Sequence, residues 1–303
     1  MKIRKLMGAR MGSELVGLLS VDKREGPTSH DVVNLVRKIT RVRRVGHTGT
    51  LDPFASGLLL ICIGWATRLA EYLSSLPKSY SGLMRLGERT DTDDRTGEVI
   101  ARSEAWRELD AEAIRRAFEL QIGTVPQRPP AFSAKKVSGR RAHRLARDGG
   151  TPKLEPQRVT IYRLELTELK LPDVRFEIEC SSGTYVRAIA RDVGEAIGVG
   201  GHLTRLRRVR VGGFELKGAL QLGPESSAAD IATAIRPPQE AVAHLPGVDL
   251  LAEESGPLSH GQPVEWADDP GSGPVAVRVA GRLAAIAQWK DRRLWPKKVL
   301  PSR

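Results

Sequence analysis

Two neighbouring segments with the periodicity of β-strands constrain the fold more than any other feature of the chain. Residues 174–180 alternate strictly between apolar and other side chains, and residues 159–169 alternate with one slip that predicts a β-bulge. Such alternation places one face of a sheet on a core and leaves the other face in solvent. Because the two segments follow one another closely, we expect them to form an antiparallel pair within a larger sheet.

Short apolar runs predict further strands around this pair. They favour strands at residues 16–21 and 80–86, whereas the run at residues 58–63 is compatible with a strand or with the start of a helix. The glycine-rich residues 46–57 and the polar, acidic residues 89–95 are predicted as loops.

Helical spacing of apolar residues predicts three helices. The first is capped by Thr28 or Ser29 and reaches about Ile39, and the others span residues 109–120 and 184–197. In the last helix, Arg187 and Arg191 lie near the edge of the apolar face. Together with the strands, these helices predict an α+β fold.

The length of 303 residues corresponds to about two domains of ~150 residues each. The predicted organisation is a basic tail at residues 1–14, a main domain at residues 15–223 with a basic insertion at about 124–153, a linker at residues 224–245 and a C-terminal domain at residues 246–303. Short strands predicted at residues 262–264, 275–279, 283–288 and 299–300 make the C-terminal domain a small all-β module.

The charge distribution points to a polyanionic partner. The chain carries 48 Lys and Arg residues against 36 Asp and Glu residues, and nearly all of the net charge of +12 lies before residue 245. Seven basic residues and no acidic residue occur in residues 128–147, which favours contact with nucleic acid over the ordinary alternative of a solvated charged face. The two cysteines lack a metal-binding spacing, and no apolar run is long enough to span a membrane, so a reduced cytoplasmic protein is expected.

The loop at residues 45–59 is the strongest candidate for a reactive site. It holds a single carboxylate, Asp52, among glycines, and Pro53 restricts Asp52 to extended conformations. We expect the basic cluster at residues 37–44 to keep this carboxylate ionised, which would suit a nucleophile at a sugar carbon or an electron-poor ring. On these residues alone, an ordinary turn is the more common interpretation. No Gly-Lys-Ser/Thr sequence follows, so binding of a nucleoside triphosphate is disfavoured.

Several ordered motifs resemble those of one enzyme family. The segment Gly46-His47-Thr48-Gly49-Thr50-Leu51-Asp52-Pro53 resembles the catalytic-aspartate motif of the TruB family of pseudouridine synthases. The agreeing segments are Val21-Asp22-Lys23 with Gly26-Pro27-Thr28-Ser29, Lys78-Ser79-Tyr80 with Arg89-Thr90-Asp91-Thr92-Asp93, Cys180 to Arg187, and Leu206-Arg207-Arg208. Arg24 departs from the pattern, because the family usually has proline after the first-motif lysine.

The resemblance implies a fold and a reaction. The expected fold is a pseudouridine-synthase-type catalytic domain, with a long antiparallel sheet flanked by helices and loops, plus a small C-terminal PUA-like β-barrel. The expected reaction isomerises uridine to pseudouridine at position 55 in the T-loop of tRNA. In this reaction the N1–C1′ bond breaks, the base rotates and C5 joins C1′. The base must first leave its stack, and neither a cofactor nor a metal ion is implied.

The resemblance also implies roles for individual side chains. Asp52 is the expected nucleophile, and whether it attacks C1′, attacks C6 or assists proton loss from C2′ stays open. Arg187 is its expected ion-pair partner, and Tyr80 is expected to stack on the uracil and to take part in proton transfer. The expected substrate-binding residues are His47, Tyr80, Tyr185 and Leu206. The basic insertion resembles the thumb of the family, with phosphate contacts expected from Arg128, Lys135, Lys136, Arg140, Arg141 and Arg144.

The sequence is also compatible with other functions. A non-catalytic RNA chaperone that folds tRNA would explain the basic surface equally well, but it would not need the Asp52 motif. A nucleoside hydrolase would release the free base. We expect a monomer that acts on the T-arm of tRNA without a guide RNA and without a membrane, rather than a dyskerin-like, guide-dependent relative. Met1 and Met11 are both possible starts.

Overall fold

The computed structural model describes residues 15–133, 135–137, 140–142, 145, 150 and 154–301, so the predicted tail at residues 1–14 lies outside the described residues. In chain order, the strands are β1 Gly17–Lys23, β2 Val45–His47, β3 Ser56–Ile63, β4 Lys78–Leu86, β5 Glu88–Thr90, β6 Val99–Arg102, β7 Gly123–Gln127, β8 Lys136–Val137, β9 Arg140–Arg141, β10 Gln157–Lys170, β11 Asp173–Cys180, β12 Gly201–Val211, β13 Phe214–Glu215, β14 Gly247–Leu250, β15 Val264–Glu265, β16 Pro274–Val279, β17 Arg282–Lys290 and β18 Arg293–Val299. The α-helices are α1 Ser29–Thr40, α2 Ala70–Ser74, α3 Ala111–Glu119, α4 Val186–Ala196, α5 Ala228–Ala234 and α6 Gly256–Ser259, and 3-10 turns span Gly64–Leu69, Ala105–Glu108 and Pro238–Val242.

A nine-stranded sheet organises the main part of the described chain. Its strand order is β1-β3-β12-β4-β11-β10-β7, with β2 paired to β3 and β13 paired to β12. The predicted antiparallel pair is confirmed as β10 and β11, and the register shifts twice along it, after Ile161 and after Leu166. Residues 58–63 belong to strand β3 rather than to a helix.

One pairing in this sheet is parallel and places two chain segments side by side. Strand β12 runs parallel to β3, with Arg207 opposite Ser56 and Arg208 opposite Gly57. Gly57 has a φ of 102°, and a Cβ atom there would lie 2.2 Å from the carbonyl oxygen of Arg208. Only glycine permits this approach, which joins the end of the Asp52 loop to β12.

The helices cover the apolar face of the sheet. The predicted first helix is confirmed as α1, and Thr28 forms a capping box with Asp31 at its start. In α4, Ile189 and Val193 belong to the main core. Arg187 and Arg191, predicted at the edge of that face, are instead buried, because carboxylates and carbonyls of neighbouring loops surround both guanidinium groups.

Two predicted loops contain short strands. Residues 88–90 form β5, which pairs with β6, and the glycine-rich segment is shorter than predicted because β2 reaches His47 and β3 begins at Ser56. Strand β6 is wholly exposed, so this hairpin lacks the apolar alternation that identifies a half-buried strand.

The C-terminal residues form a second, five-stranded sheet with the order β14-β16-β17-β18-β15. Strand β18 begins at Arg293, well before the predicted residues 299–300, because the charged residues along it mask its periodicity. The sheet has its own core, and residues such as Ala276 and Ile286 also pack against Leu18 and Leu58 of the main sheet. The α+β class is confirmed, and this sheet is consistent with the predicted PUA-like barrel.

The predicted linker at residues 224–245 contains α5 and the turn Pro238–Val242. Ile231 of α5 is buried in the core of the main sheet, and Arg236 exchanges backbone hydrogen bonds with Leu18 of β1. This segment therefore packs on the sheet over part of its length. None of the helices in the described ranges is long and apolar enough to cross a membrane.

We predict that Gly57→Ala lowers the free energy of unfolding by roughly 2–4 kcal/mol, because its Cβ would clash with β12 in addition to straining the backbone. Gly123→Ala is the matched control, since Gly123 has a similar φ of 94° with no atom within 4 Å of the added Cβ. It should cost only about 1–2 kcal/mol. Urea unfolding of both variants measures the difference, and equal losses would contradict the role of the close approach.

Candidate active site

The loop that carries Asp52 is held by the turn and the helix that follow β1. The hydroxyl of Ser29 accepts a hydrogen bond from the amide of Leu51 at 2.8 Å and donates to its carbonyl at 3.1 Å. The amide of Gly26 donates to the carbonyl of Pro53 at 2.8 Å. The loop is therefore fixed on both sides of Asp52, and the predicted capping of α1 places Ser29 where it can make these bonds.

Asp52 faces the guanidinium of Arg187, as the resemblance implies. The Nε atom of Arg187 lies 2.9 Å from Oδ2 of Asp52, and Nη2 donates a longer hydrogen bond of 3.4 Å to Oδ1. The side chain of Arg187 is 5% exposed, whereas that of Asp52 is 36% exposed. The carboxylate is thus oriented from its buried side and remains open to solvent on the other.

A second carboxylate, Asp94, shares the same guanidinium. Nη1 of Arg187 lies 3.4 Å from Oδ2 of Asp94 and donates to the carbonyl of Thr92 at 2.8 Å. Asp94 is buried, and its Oδ1 accepts from the amide of Thr96 at 2.9 Å. Sequence analysis assigned no role to Asp94, and the only available signal was its place beside the tyrosine motif.

The charges around Asp52 differ from those expected. Burial raises the pKa of the Asp52 carboxyl; Arg187 opposes this shift and Asp94 adds to it. The basic cluster at residues 37–44 was expected to keep the carboxylate ionised, but its charges are not among the largest effects on the pKa of Asp52. Arg37, for example, donates to the carbonyl of Val45 at 2.8 Å. The cations with the largest effect on the pKa of Asp52 are Arg187 and Lys23, which come from other parts of the chain.

Two phenols lie close enough to Asp52 for its charge to act on them. Tyr80 on β4 is buried, and burial raises the pKa of its hydroxyl while Arg208 opposes the rise. Burial likewise raises the pKa of Tyr185, which precedes α4. Leu206 on β12 is buried in the same core cluster as Tyr80. The structure therefore gathers Asp52, Arg187 and both tyrosines, with Leu206 packed in the core beside Tyr80.

His47, at the end of β2, lies at the other edge of the loop. Burial lowers the pKa of its ring, and the positive charge of Arg208 lowers it further. Its Nδ1 atom is buried and makes no hydrogen bond within the part of the chain that the structure describes. A neutral ring is therefore favoured at neutral pH, as suits a contact group better than a proton donor.

The expected phosphate-binding residues are described only in part. Arg128 is exposed, and Lys135 donates to the amide oxygen of Gln157. The backbone places Lys136 and Arg140–Arg141 in the hairpin of β8 and β9, whereas Arg144 lies outside the described residues. Their contact with RNA stays a prediction.

The base of this basic segment is bonded to the helix that carries Arg187. The side chain of Gln127 makes two hydrogen bonds with the backbone of Tyr185, at 2.8 and 3.2 Å. Nη2 of Arg187 donates to the carbonyl of Phe132 at 3.1 Å, and Nη2 of Arg191 donates to that of Arg128 at 2.9 Å. The same helix therefore orients the carboxylate and holds the start of the basic segment.

Sequence analysis also missed two buried lysines near the site, Lys23 and Lys78. The ammonium of Lys23 donates to the carbonyls of Pro27 at 2.8 Å and Pro53 at 3.5 Å, and burial lowers its pKa to about 8. Lys78 is buried beside Gly49 and donates to the carbonyls of Ser74 and Leu76. Both lysines occur in the motifs that the sequence displays, but a motif alone does not show that a lysine is buried.

The fold and this carboxylate–guanidinium site define a class of RNA-modifying isomerase, the pseudouridine synthases. The chain superposes on a protein chain in the crystal structure of a Cbf5–Nop10–Gar1 complex with a TM-score of 0.71 and 25% identity, covering 96% of this chain and 86% of that one. The family model of the N-terminal domain of TruB pseudouridylate synthases matches residues 37–186, and that of the tRNA pseudouridylate synthase B C-terminal domain matches residues 187–224.

Curated relatives agree with these matches. The chain is 50% identical over 210 residues to tRNA pseudouridine synthase B of Mycobacterium tuberculosis, covering 68% of this chain and 70% of the relative. It is 44% identical over 284 residues to the protein of the same name from Rhodococcus jostii, covering 91% of both. The chain belongs to the TruB family of pseudouridine synthases, and it is an isomerase. The predicted family is confirmed.

We predict that Lys78 makes stability rise with pH. Burial lowers the pKa of this lysine from 10.5 to about 8 in the folded protein. Between these values the unfolded chain binds more protons than the folded one, so this group increases the free energy of unfolding as pH rises from about 8 to 10.5. Urea unfolding of wild type and Lys78→Met across this range should show wild type gaining relative to the variant. A constant difference would contradict the buried, readily deprotonated ammonium.

Proposed function

We propose that this enzyme isomerises uridine to pseudouridine at position 55 in the T-loop of tRNA, with Asp52 as the nucleophile and without a cofactor. The observation that carries the proposal is the Asp52 carboxylate, held by Arg187 at 2.9 Å and open on its other side. The curated relatives named as tRNA pseudouridine synthase B support tRNA as the substrate. We further propose that the enzyme acts as a monomer in the cytoplasm and needs no guide RNA.

The reaction needs a fixed, accessible carboxylate and groups that can handle one proton. The N1–C1′ bond breaks, C5 forms the new bond to C1′, C5 loses its proton and N1 gains one, so no redox step occurs. Arg187 favours the ionised form of Asp52 and fixes its direction. Asp52 can attack C1′, attack C6 or assist proton loss from C2′, and all three routes use the same carboxylate.

The depth of the site supports base flipping. Tyr80 is buried, and the Asp52 carboxylate is bounded on its inner side by Arg187 and Asp94. A uracil stacked within an RNA loop cannot bring C1′ and C5 against these groups, so the nucleotide must be extruded. Tyr80 and Tyr185 can then contact the extruded base, and His47 can contact the folded loop around it.

The basic segment supports binding of the T-arm. The start of this segment is bonded to the helix that carries Arg187, so its cations belong to a part of the chain that is anchored beside Asp52. Phosphate contacts supply affinity and register, and the shape of the folded loop supplies specificity.

We predict that Asp52→Asn removes isomerisation while leaving tRNA binding within about threefold of wild type. The amide cannot act as the nucleophile, so the rate should fall by at least about 10³-fold. Pseudouridine is mapped at single-nucleotide resolution in an unmodified tRNA transcript, and affinity is measured by filter binding.

Asp173→Asn is the matched control, because Asp173 pairs with Arg85 at a distant part of the sheet. It should retain activity within about twofold of wild type. Near-normal turnover by Asp52→Asn would reject the nucleophile. If wild type and Asp52→Asn both bind tRNA tightly and neither forms pseudouridine, an RNA chaperone would be favoured. Release of free uracil would favour a hydrolase.

We predict that tRNA affinity falls steeply with salt and that the basic segment accounts for part of the slope. Each neutralised phosphate contributes a slope of about −0.7 to −0.9 in log K against log salt. Replacing Arg140 and Arg141 together with glutamine should therefore flatten the slope by about 1.5. The control Arg175→Gln removes a cation that pairs with Glu168 on the sheet, and it should leave the slope unchanged. An unaltered slope in the double variant would contradict the assigned contacts.

A further inference from the structure

Arg208 is an unusual cation for the interior of a protein. Its side chain is the largest among the fully buried ones in the described ranges, and the residue is 2% exposed. Nε donates to the carbonyl of Leu58 at 2.6 Å, and Nη2 donates to the carbonyl of Gly49 at 3.0 Å. Among the described residues it forms no ion pair with a carboxylate. A buried guanidinium satisfied only by neutral oxygens is unfavourable for folding, which indicates a role beyond packing.

The position of Arg208 joins the two halves of the active site. On one side of β12 it lies opposite Gly57, where β3 leaves the Asp52 loop, and on the other side it lies opposite Tyr80 of β4. Its side chain bonds to the carbonyl of Gly49 within the loop and lies close enough to the hydroxyl of Tyr80 for its charge to act on that group. One buried guanidinium therefore bonds to the loop that carries Asp52 and belongs to the residue that pairs with Tyr80.

The chemistry of these two groups sets how their side chains can interact. A guanidinium has donors only, in a fixed planar fork, whereas a phenol has one donor and also accepts. In a hydrogen bond between the two side chains, Arg208 would therefore donate to the oxygen of Tyr80, which leaves the phenolic proton free to point elsewhere. The charge of Arg208 would also stabilise any negative charge that forms on this oxygen.

We propose that Arg208 is a positioning residue for the isomerisation, which fixes the hydroxyl of Tyr80 and the Gly49 end of the catalytic loop relative to Asp52. This inference rests on the proposed function, because it assigns Tyr80 a proton-transfer role at the extruded base. It is supported by the electrostatics: burial raises the pKa of Tyr80, and Arg208 opposes that rise. Arg208 acts through Tyr80 and the loop and does not itself contact the base.

Rate measurements on full-length variants test the proposal first. Arg208→Lys keeps the charge but loses the fork, and it should lower the single-turnover rate by about 10- to 100-fold with KM within about threefold of wild type. Arg208→Gln should lower the single-turnover rate further than Arg208→Lys does. The matched control is Arg210→Gln, two residues along the same strand, because Arg210 pairs with Glu179 at 2.7 Å and is partly exposed. The control should stay within about twofold of wild type.

A double-mutant cycle separates positioning from a merely structural effect. In a Tyr80→Phe background the hydroxyl is already absent, so Arg208→Lys should cost less than about threefold in rate. A loss of the same size in both backgrounds would overturn the proposal, as would a normal rate for Arg208→Lys in the wild-type background. Thermal unfolding of each variant shows whether it is folded. If Arg208→Gln is unfolded, the comparison uses Arg208→Lys alone.

Titration of the phenol provides a readout that does not depend on activity. The chain has four tyrosines, so the carbon-13 resonance of Tyr80 is assigned by its loss in Tyr80→Phe. In Arg208→Gln, or in Arg208→Lys if the former is unfolded, this resonance should titrate at higher pH than in wild type. An unchanged titration would overturn the proposal. Absence of pseudouridine with the wild-type enzyme would instead reject the proposed function, and the titration would still test the contact between Arg208 and Tyr80.

Discussion

The ion pair between Arg187 and Asp52 is the interaction on which the site depends. One buried guanidinium contacts the Asp52 loop, the Asp94 carboxylate and the carbonyl of Phe132 at the base of the basic segment. These segments are distant in the chain, and each supplies an acceptor that offsets part of the cost of burying the charge. The guanidinium therefore links Asp52, Asp94 and the start of the basic segment.

A second buried guanidinium, that of Arg208, also bonds to the loop that carries Asp52, at Gly49. Strands β3 and β12 run parallel here, and Gly57 allows their backbones to approach closely enough for Arg208 to reach the carbonyls of Leu58 and Gly49. The sheet thus also fixes part of the geometry of the site. Its single parallel pairing in the main strand order sets the distance between the Asp52 loop and the strand that carries Tyr80.

Much of the fold was predictable where one face of an element is apolar. The pair β10–β11, helix α1 with its cap and the strand β3 all follow from local patterns. Prediction failed for β5 and for most of β18, because exposed or charged strands carry little periodic signal. In the site, Asp52, Arg187 and Tyr80 were found from motifs, whereas Asp94 and the buried positions of Arg191 and Arg208 were not.

The sequence by itself determined the family, the carboxylate of the candidate site and the basic character of residues 128–147, because short motifs and charge are local properties. The tertiary structure alone decided which charges act on Asp52. The largest effects come from Arg187, Asp94 and Lys23 rather than from the nearby cluster at residues 37–44. The physical reason is that electrostatic interactions depend on distance and burial in the folded protein. Separation along the chain predicts neither quantity, so the partners of a buried charge appear only once the strands and loops are packed.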